Sequence, residues 1–195
     1  MGIERPFSTE LLVLGVLRSP DFPVVLLEEG LGDRLGPFDW KGPELPFEFS
    51  SYYEPEMGPG ILRSFYAFAR LVDPAELADI KRKTDRLEEE WAMARAGGEV
   101  ARRAERNGGQ GRPVNLDPGL LSLGRFILAT TKDRSHRVPL RDGIYAELTL
   151  YYQDGAFRAL PWTYPDWQSP AYLAVLGELR TRLKAALRAA RKTEG

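Results

Sequence analysis

"ILRSFYAFARLVDPAELADIKRK", Ile61 to Lys83, joins the two kinds of element from which the chain is built. The first half follows the turn residues Gly58-Pro59-Gly60 and reads as a strand. Asp73 then stands as a helix N-cap, with Pro74 at the first helical position and Glu76 three residues on as its capping-box partner. The spacing of Leu77, Ile80, Leu87 and Trp91 carries that helix to about Met93 and marks those four positions as core.

Outward from this junction the pattern repeats. "ELLVLGVLRS" predicts a short buried strand, Leu11 to Leu17. "VVLLEEGLGDRLGP" fits a helix closed by Gly36-Pro37, and "LPFEFSSYYE" alternates aromatic and polar residues as a strand does. Beyond the long helix, "RPVNLDPG" reads as a strand ending in a turn. "LGRFILATT" is a buried segment that suits helix or strand equally. "IYAELTLYYQDGAFRALPW" is a hairpin about Gln153-Asp154-Gly155. The last segment, "SPAYLAVLGELRTRLKAALRAARK", opens on a Ser169 cap and Pro170 and forms an amphipathic helix with a basic last turn. Residues 10–117 thus run strand, helix, strand, strand, helix, strand. That is the order of an α+β, ferredoxin-like βαββαβ core, which a hairpin and helix at 118–195 extend within a single domain, 1–195. Residues 96–111, rich in arginine and glycine, read as an exposed insertion that adds little to the core.

Composition bounds the chemistry. The 195 residues include no cysteine and one histidine, which excludes disulfides, thiolate nucleophiles, cysteine-ligated metals and any mechanism needing two histidines of one chain. No apolar run is long enough to cross a membrane, and the acidic amino terminus lacks the features of an export signal, so a cytoplasmic location is expected. Charge is uneven. Residues 1–60 carry 4 basic and 11 acidic side chains, whereas 95–141 carry 10 basic and 4 acidic, so the middle of the chain could face an anion.

The histidine lies in "ATTKDRSHR", Ala129 to Arg137. Lys132, His136 and Arg137 supply cationic or neutral donors beside the hydroxyls of Thr130, Thr131 and Ser135, the mixture that holds a phosphate or carboxylate. His136 could also serve as a general acid or base. The alternative is a polar loop in which His136 bonds to a backbone carbonyl. Asn115 and Asp117 flank the Pro118-Gly119 pair, where an aspartate usually caps a turn. As a base or magnesium ligand, Asp117 would need Glu54, Glu56, Glu147 or Asp166 nearby. If Ala146, Leu148 and Leu150 face the core, Glu147 points with Thr149 and Tyr151 to the other face. Trp162, Tyr164 and Trp167 could stack a base or sugar, or simply cover a core edge.

"FEFSSYYEPEMG", "RPVNLDPG", "LATTKDRSHR", "GIYAELTLYY" and "LPWTYPDWQS", in this order and over nearly the whole chain, resemble the bacterial family called domain of unknown function 4416. The family name assigns no activity, so the resemblance implies a shared fold and no cofactor or catalytic residue. The chain departs from the family pattern at Leu120, where an aromatic follows the DPG motif, and at Pro139, where a tyrosine stands. It also departs in the length of its glycine-rich insertion.

The expected function is therefore binding of a small phosphorylated or carboxylated ligand by the Lys132, His136 and Arg137 cluster. Asp117, Glu147 or Asp166 would complete the site, and His136, Asp117 and Glu147 are the candidates for catalysis. The alternative is a nucleic-acid or protein interaction module using the basic middle segment and exposed aromatics. No motif identifies a cofactor or a metal site, no membrane partner is expected, and the sequence leaves the oligomeric state open.

Overall fold

The computed structural model describes residues 3–95 and 111–193. It is an α+β fold: one nine-stranded antiparallel sheet and, among the described residues, four helices. In chain order these are β1 (Glu10–Arg18), α1 (Val24–Leu35), β2 (Phe38–Lys41), β3 (Leu45–Pro46), α2 (Glu54–Met57) and β4 (Leu62–Val72). A 3-10 turn, Pro74–Glu76, leads into α3 (Leu77–Arg95). Then follow β5 (Val114–Leu121), β6 (Arg125–Thr130), β7 (Arg137–Arg141), β8 (Ile144–Gln153) and β9 (Ala156–Ala159), a 3-10 turn at Asp166–Gln168, and α4 (Pro170–Thr193). The strand order is β2-β4-β1-β5-β6-β8-β7, with β3 also on β4 and β9 also on β8.

Two compact units divide the chain, one of Met1–Leu12, Arg70–Ala78 and Gly119–Gly195, the other of Val13–Ala69 and Asp79–Pro118. In the first, Phe126, Leu150, Trp167, Tyr172, Leu176 and Leu179 are buried. In the second, the β1 residues Val13 to Leu17 and the β4 rings Phe65, Tyr66 and Phe68 are buried.

Local signals are obeyed where the bonds they need are local. Asp73 accepts from the Ala75 N–H at 2.8 Å and Glu76 accepts from the Asp73 N–H at 3.1 Å, so the capping box forms and opens a single 3-10 turn ahead of α3. Leu77, Ile80 and Leu87 are buried, and Trp91 packs on Phe22. Gly36, at φ +93°, closes α1 by donating to Gly32 O. Asp154 and Gly155 both take positive φ between Gln153 and Ala156, the tight turn of the expected hairpin, and Asp142-Gly143 makes a second one between β7 and β8. Ser169 Oγ accepts from the Tyr172 N–H at the start of α4. The basic last turn of that helix and residues 96–110 of the insertion lie outside the side chains or residues described.

Three expectations are corrected. The strand expected at 45–54 is confined to Leu45–Pro46. The paired strand lies earlier, at Phe38–Lys41, and Phe47, Phe49 and Tyr53 pack ring against ring, with Phe47 and Tyr53 set on Leu17, Met57 and Ile61. The alternation reports that ring cluster and not a sheet face.

The turn expected at Asp117-Pro118-Gly119 is absent, because β5 runs through it to Leu121. Pro118 has no N–H to give, and the β5–β6 pairing begins only at Gly119. A Cβ on Gly119 would lie 2.5 Å from Phe126 Cζ and 2.7 Å from the Ile127 carbonyl oxygen, so glycine here serves close strand approach.

The segment whose character the sequence left open, "LGRFILATT", is the strand β6. Its pairing with β8 slips between Phe126–Leu150 and Ile127–Leu148, which makes Thr149 the extra residue of a bulge. Glu147, Thr149 and Leu150 are consequently all buried, while Leu148 is exposed, the reverse of the face expected for Leu148 and Glu147.

Candidate functional site

The bulge in β8 builds the site. β6 lies along one edge of β8, so β7, paired with residues 144–147, and β9, paired with residues 150–153, share the other edge. Leu148 and Thr149 fall in the gap between them. Their carbonyls are met by side chains instead: Trp162 Nε1 donates to Leu148 O at 2.9 Å and Thr163 Oγ1 donates to Thr149 O at 2.6 Å. Thr163 Oγ1 in turn accepts from the Leu160 N–H at 2.8 Å. The "LPWTYP" segment, kept from regular structure by its two prolines, is thus pinned where the ladder lapses.

Arg137 stands directly opposite Glu147 in the β7–β8 ladder. Its Nε donates to Glu147 Oε2 at 2.7 Å and its Nη1 to the Lys132 carbonyl at 2.8 Å. The Arg137 and Glu147 side chains are only 4% and 3% exposed, so each charge depends on the other for what water would otherwise supply. His136 Nε2 lies 3.1 Å from the same Oε2, and its ring is stacked on the Trp162 indole at 5.0 Å between centroids and 12° between planes. His136 keeps 21% of its side chain exposed. Its Nδ1 and the Nη2 of Arg137 make no hydrogen bond among the described residues. A ring fixed by a carboxylate at one nitrogen and an indole along one face therefore carries a second nitrogen that no described residue engages.

The other expected ligand-binding residues divide. Thr130 is half-buried, and its Oγ1 accepts from the Lys132 N–H at 3.2 Å, while Thr131, Lys132 and Ser135 are exposed on the same loop. Tyr164 is exposed. Asp166 is buried in its 3-10 turn and its carbonyl accepts from the Ser169 N–H. Trp167 packs on Phe126 and Tyr172 in the core of its unit.

Asn115 and Asp117 belong to a different cluster, in the other unit. Asp117 accepts from Asn115 Nδ2 at 2.9 Å and from Arg63 Nη1 at 3.1 Å, and the buried Arg63 guanidinium lies between the Phe47 and Phe65 rings. Beside it, α3 supplies a substitute for a missing strand. Glu88 accepts from the Leu116 N–H at 2.7 Å, and Lys81 donates to the Leu116 carbonyl at 3.0 Å, ahead of the point where β6 joins. Arg112 bridges Glu88 and Glu56 at 2.8 and 2.6 Å. Burial alone would lower the Lys81 ammonium, but Glu88, Asp85 and Asp117 outweigh it and hold it above the ordinary lysine value. Burial pushes the Glu88 carboxyl above its usual range against the pull of Lys81 and Arg112. Arg63, Lys81, Glu88 and Arg112 escaped the sequence reading. The traces they leave are an arginine just ahead of the rings of an aromatic strand and a Lys81–Asp85 pair at helical i,i+4 spacing.

Glu54 is exposed at the start of α2. No group of three or more histidine, aspartate or glutamate side chains among the described residues could hold a metal ion. Among the same residues, no helix is long and apolar enough to cross a membrane. No curated protein and no solved structure matches the chain. The five motifs that run from the aromatic ring cluster to the Trp162 segment are those of one family pattern: the chain belongs to the family Domain of unknown function (DUF4416), matched over residues 9–183.

Proposed function

We propose that the protein binds a small phosphorylated or carboxylated molecule at the His136–Arg137–Glu147 cluster. The observation that carries this reading is the pair of nitrogens unengaged among the described residues, His136 Nδ1 and Arg137 Nη2, on side chains already locked by Glu147, Lys132 O and Trp162. Polar groups held in place before the ligand arrives lose little freedom on binding, which is how small-molecule sites gain affinity. Lys132, exposed on the same loop with the Thr131 and Ser135 hydroxyls, adds positive charge and further donors for an anion.

The scaffold we propose is a ferredoxin-like core with an extended sheet. Its support is the order β2-β4-β1-β5, with α1 between β1 and β2 and α3 between β4 and β5, to which β6, β8 and β7 add on one side.

Thermal unfolding in rising inorganic phosphate tests the binding. At phosphate about tenfold above Kd the wild type should gain about 1.4 kcal/mol, a ligand selective for the folded state stabilising it by mass action. His136→Asn, at a partly exposed position, should gain less, and the surface control Arg188→Ala should match the wild type. Equal gains in all three would remove the reading.

A further inference from the structure

We propose that His136 is the acid–base group of this site and exchanges a proton through Nδ1 with the bound ligand; the proposal rests on the anion-binding reading above. A carboxylate oxygen can only accept, and Glu147 Oε2 already takes the Arg137 Nε–H. The His136 nitrogen facing it at 3.1 Å is therefore the one that carries hydrogen, and Nδ1 is left as the acceptor. Trp162 fixes the plane in which that lone pair lies.

The substrate class is a phosphorylated or carboxylated small molecule with a hydroxyl beside its anionic group. In this scheme the anion sits on Arg137 Nη2 and that hydroxyl on Nδ1. Its O–H bond breaks, the Nδ1–H bond forms, and the electron pair stays on the ligand oxygen. The imidazolium so made faces Glu147 and lies over the Trp162 indole. Return of the proton completes the exchange. The charged groups around the ring are Glu147 from β8, Arg137 from β7, and the exposed Lys132, Asp133 and Arg134 of its own loop. The segment that supplies Trp162 carries the phenol of the exposed Tyr164 and the carboxyl of the buried Asp166. Glu147 is in this scheme a positioning residue, and His136 the group that would touch substrate.

A single histidine makes the test unambiguous. Nitrogen-15 spectra of the full chain labelled in histidine should show the Nε2–H form, and Glu147→Gln should even out the two tautomers. A predominant Nδ1–H form in the wild type, which needs no variant to observe, would overturn the proposal, as would an identical distribution in a folded Glu147→Gln. Calorimetric titration with sulfate, which does not itself titrate between about pH 5 and about pH 8, should in buffers of different ionisation heat report net proton uptake on binding. In His136→Asn that uptake should vanish. Sulfate binding with no proton uptake would overturn the acid–base role and leave the binding reading standing. No sulfate binding at all would remove the binding reading and this proposal with it.

Discussion

Arg137 and Glu147 face each other across the β7–β8 ladder and close a 2.7 Å ion pair that is almost wholly withdrawn from water. Buried pairs of this kind are costly to break on one side only, because the remaining charge has no solvent to turn to. Arg137→Ala should therefore cost about 3–5 kcal/mol, whereas Arg137→Met with Glu147→Leu should cost far less than the sum of the single changes. Urea denaturation of the two singles and the double is the check.

Gly119 is a second point of tension between strands. A methyl group there would press on the Phe126 ring and the Ile127 carbonyl at once, and the carbonyl cannot rotate away as a side chain can. Gly119→Ala should lose about 1–3 kcal/mol, the range for overpacking a well-filled core. Gly124→Ala, where an added Cβ meets nothing within 4 Å, is the matched control in the same denaturation series.

The capping box at the head of α3 makes a smaller, local prediction. Asp73→Ala removes the acceptor for the Ala75 N–H and should lower stability by about 1 kcal/mol. An unchanged denaturation midpoint would contradict the cap.

Glu10 supplies the pH test. Burial pushes its carboxyl above the ordinary value of 4.5, against the opposing field of Arg125, and its buried Oε2 has no hydrogen-bond partner among the described residues. A carboxyl raised in the folded state stabilises the fold while protonated, and that contribution is lost as pH rises from the unfolded value through the raised one. Glu10→Gln cannot lose it. The variant should thus gain stability relative to the wild type as pH rises above 4.5, read as a widening gap in urea midpoints. A gap that narrows with pH would contradict the assignment.

What the sequence discloses of this fold follows the range of the interactions involved. Asp73 and Glu76 settle the start of α3 between themselves, and Asp154-Gly155 closes its hairpin within four residues. Asp117 reads as a turn residue by the same local rule, yet Arg63, 54 positions away, takes its carboxylate and the strand continues. Lys81 and Glu88 find Leu116 at separations of 35 and 28 residues, which no local pattern encodes. At the site, the side chains were legible as chemistry: Lys132, His136 and Arg137 stand out by type, and Glu147 by its place in an apolar strand. Their arrangement was not. It depends on one extra residue at Thr149, which turns Glu147 inward and opens the gap that Trp162 fills.

The most direct test of the account is to follow the Cε1–H signal of His136, the one histidine of the chain, during titration with inorganic phosphate at neutral pH. The account predicts a saturable shift of that signal in the wild type and in Arg188→Ala, weakened at least several-fold in Arg137→Lys, which keeps the charge but loses the Nη2 donor. A His136 signal that stays in place, or one that drifts without saturating and equally in all three proteins, would contradict it.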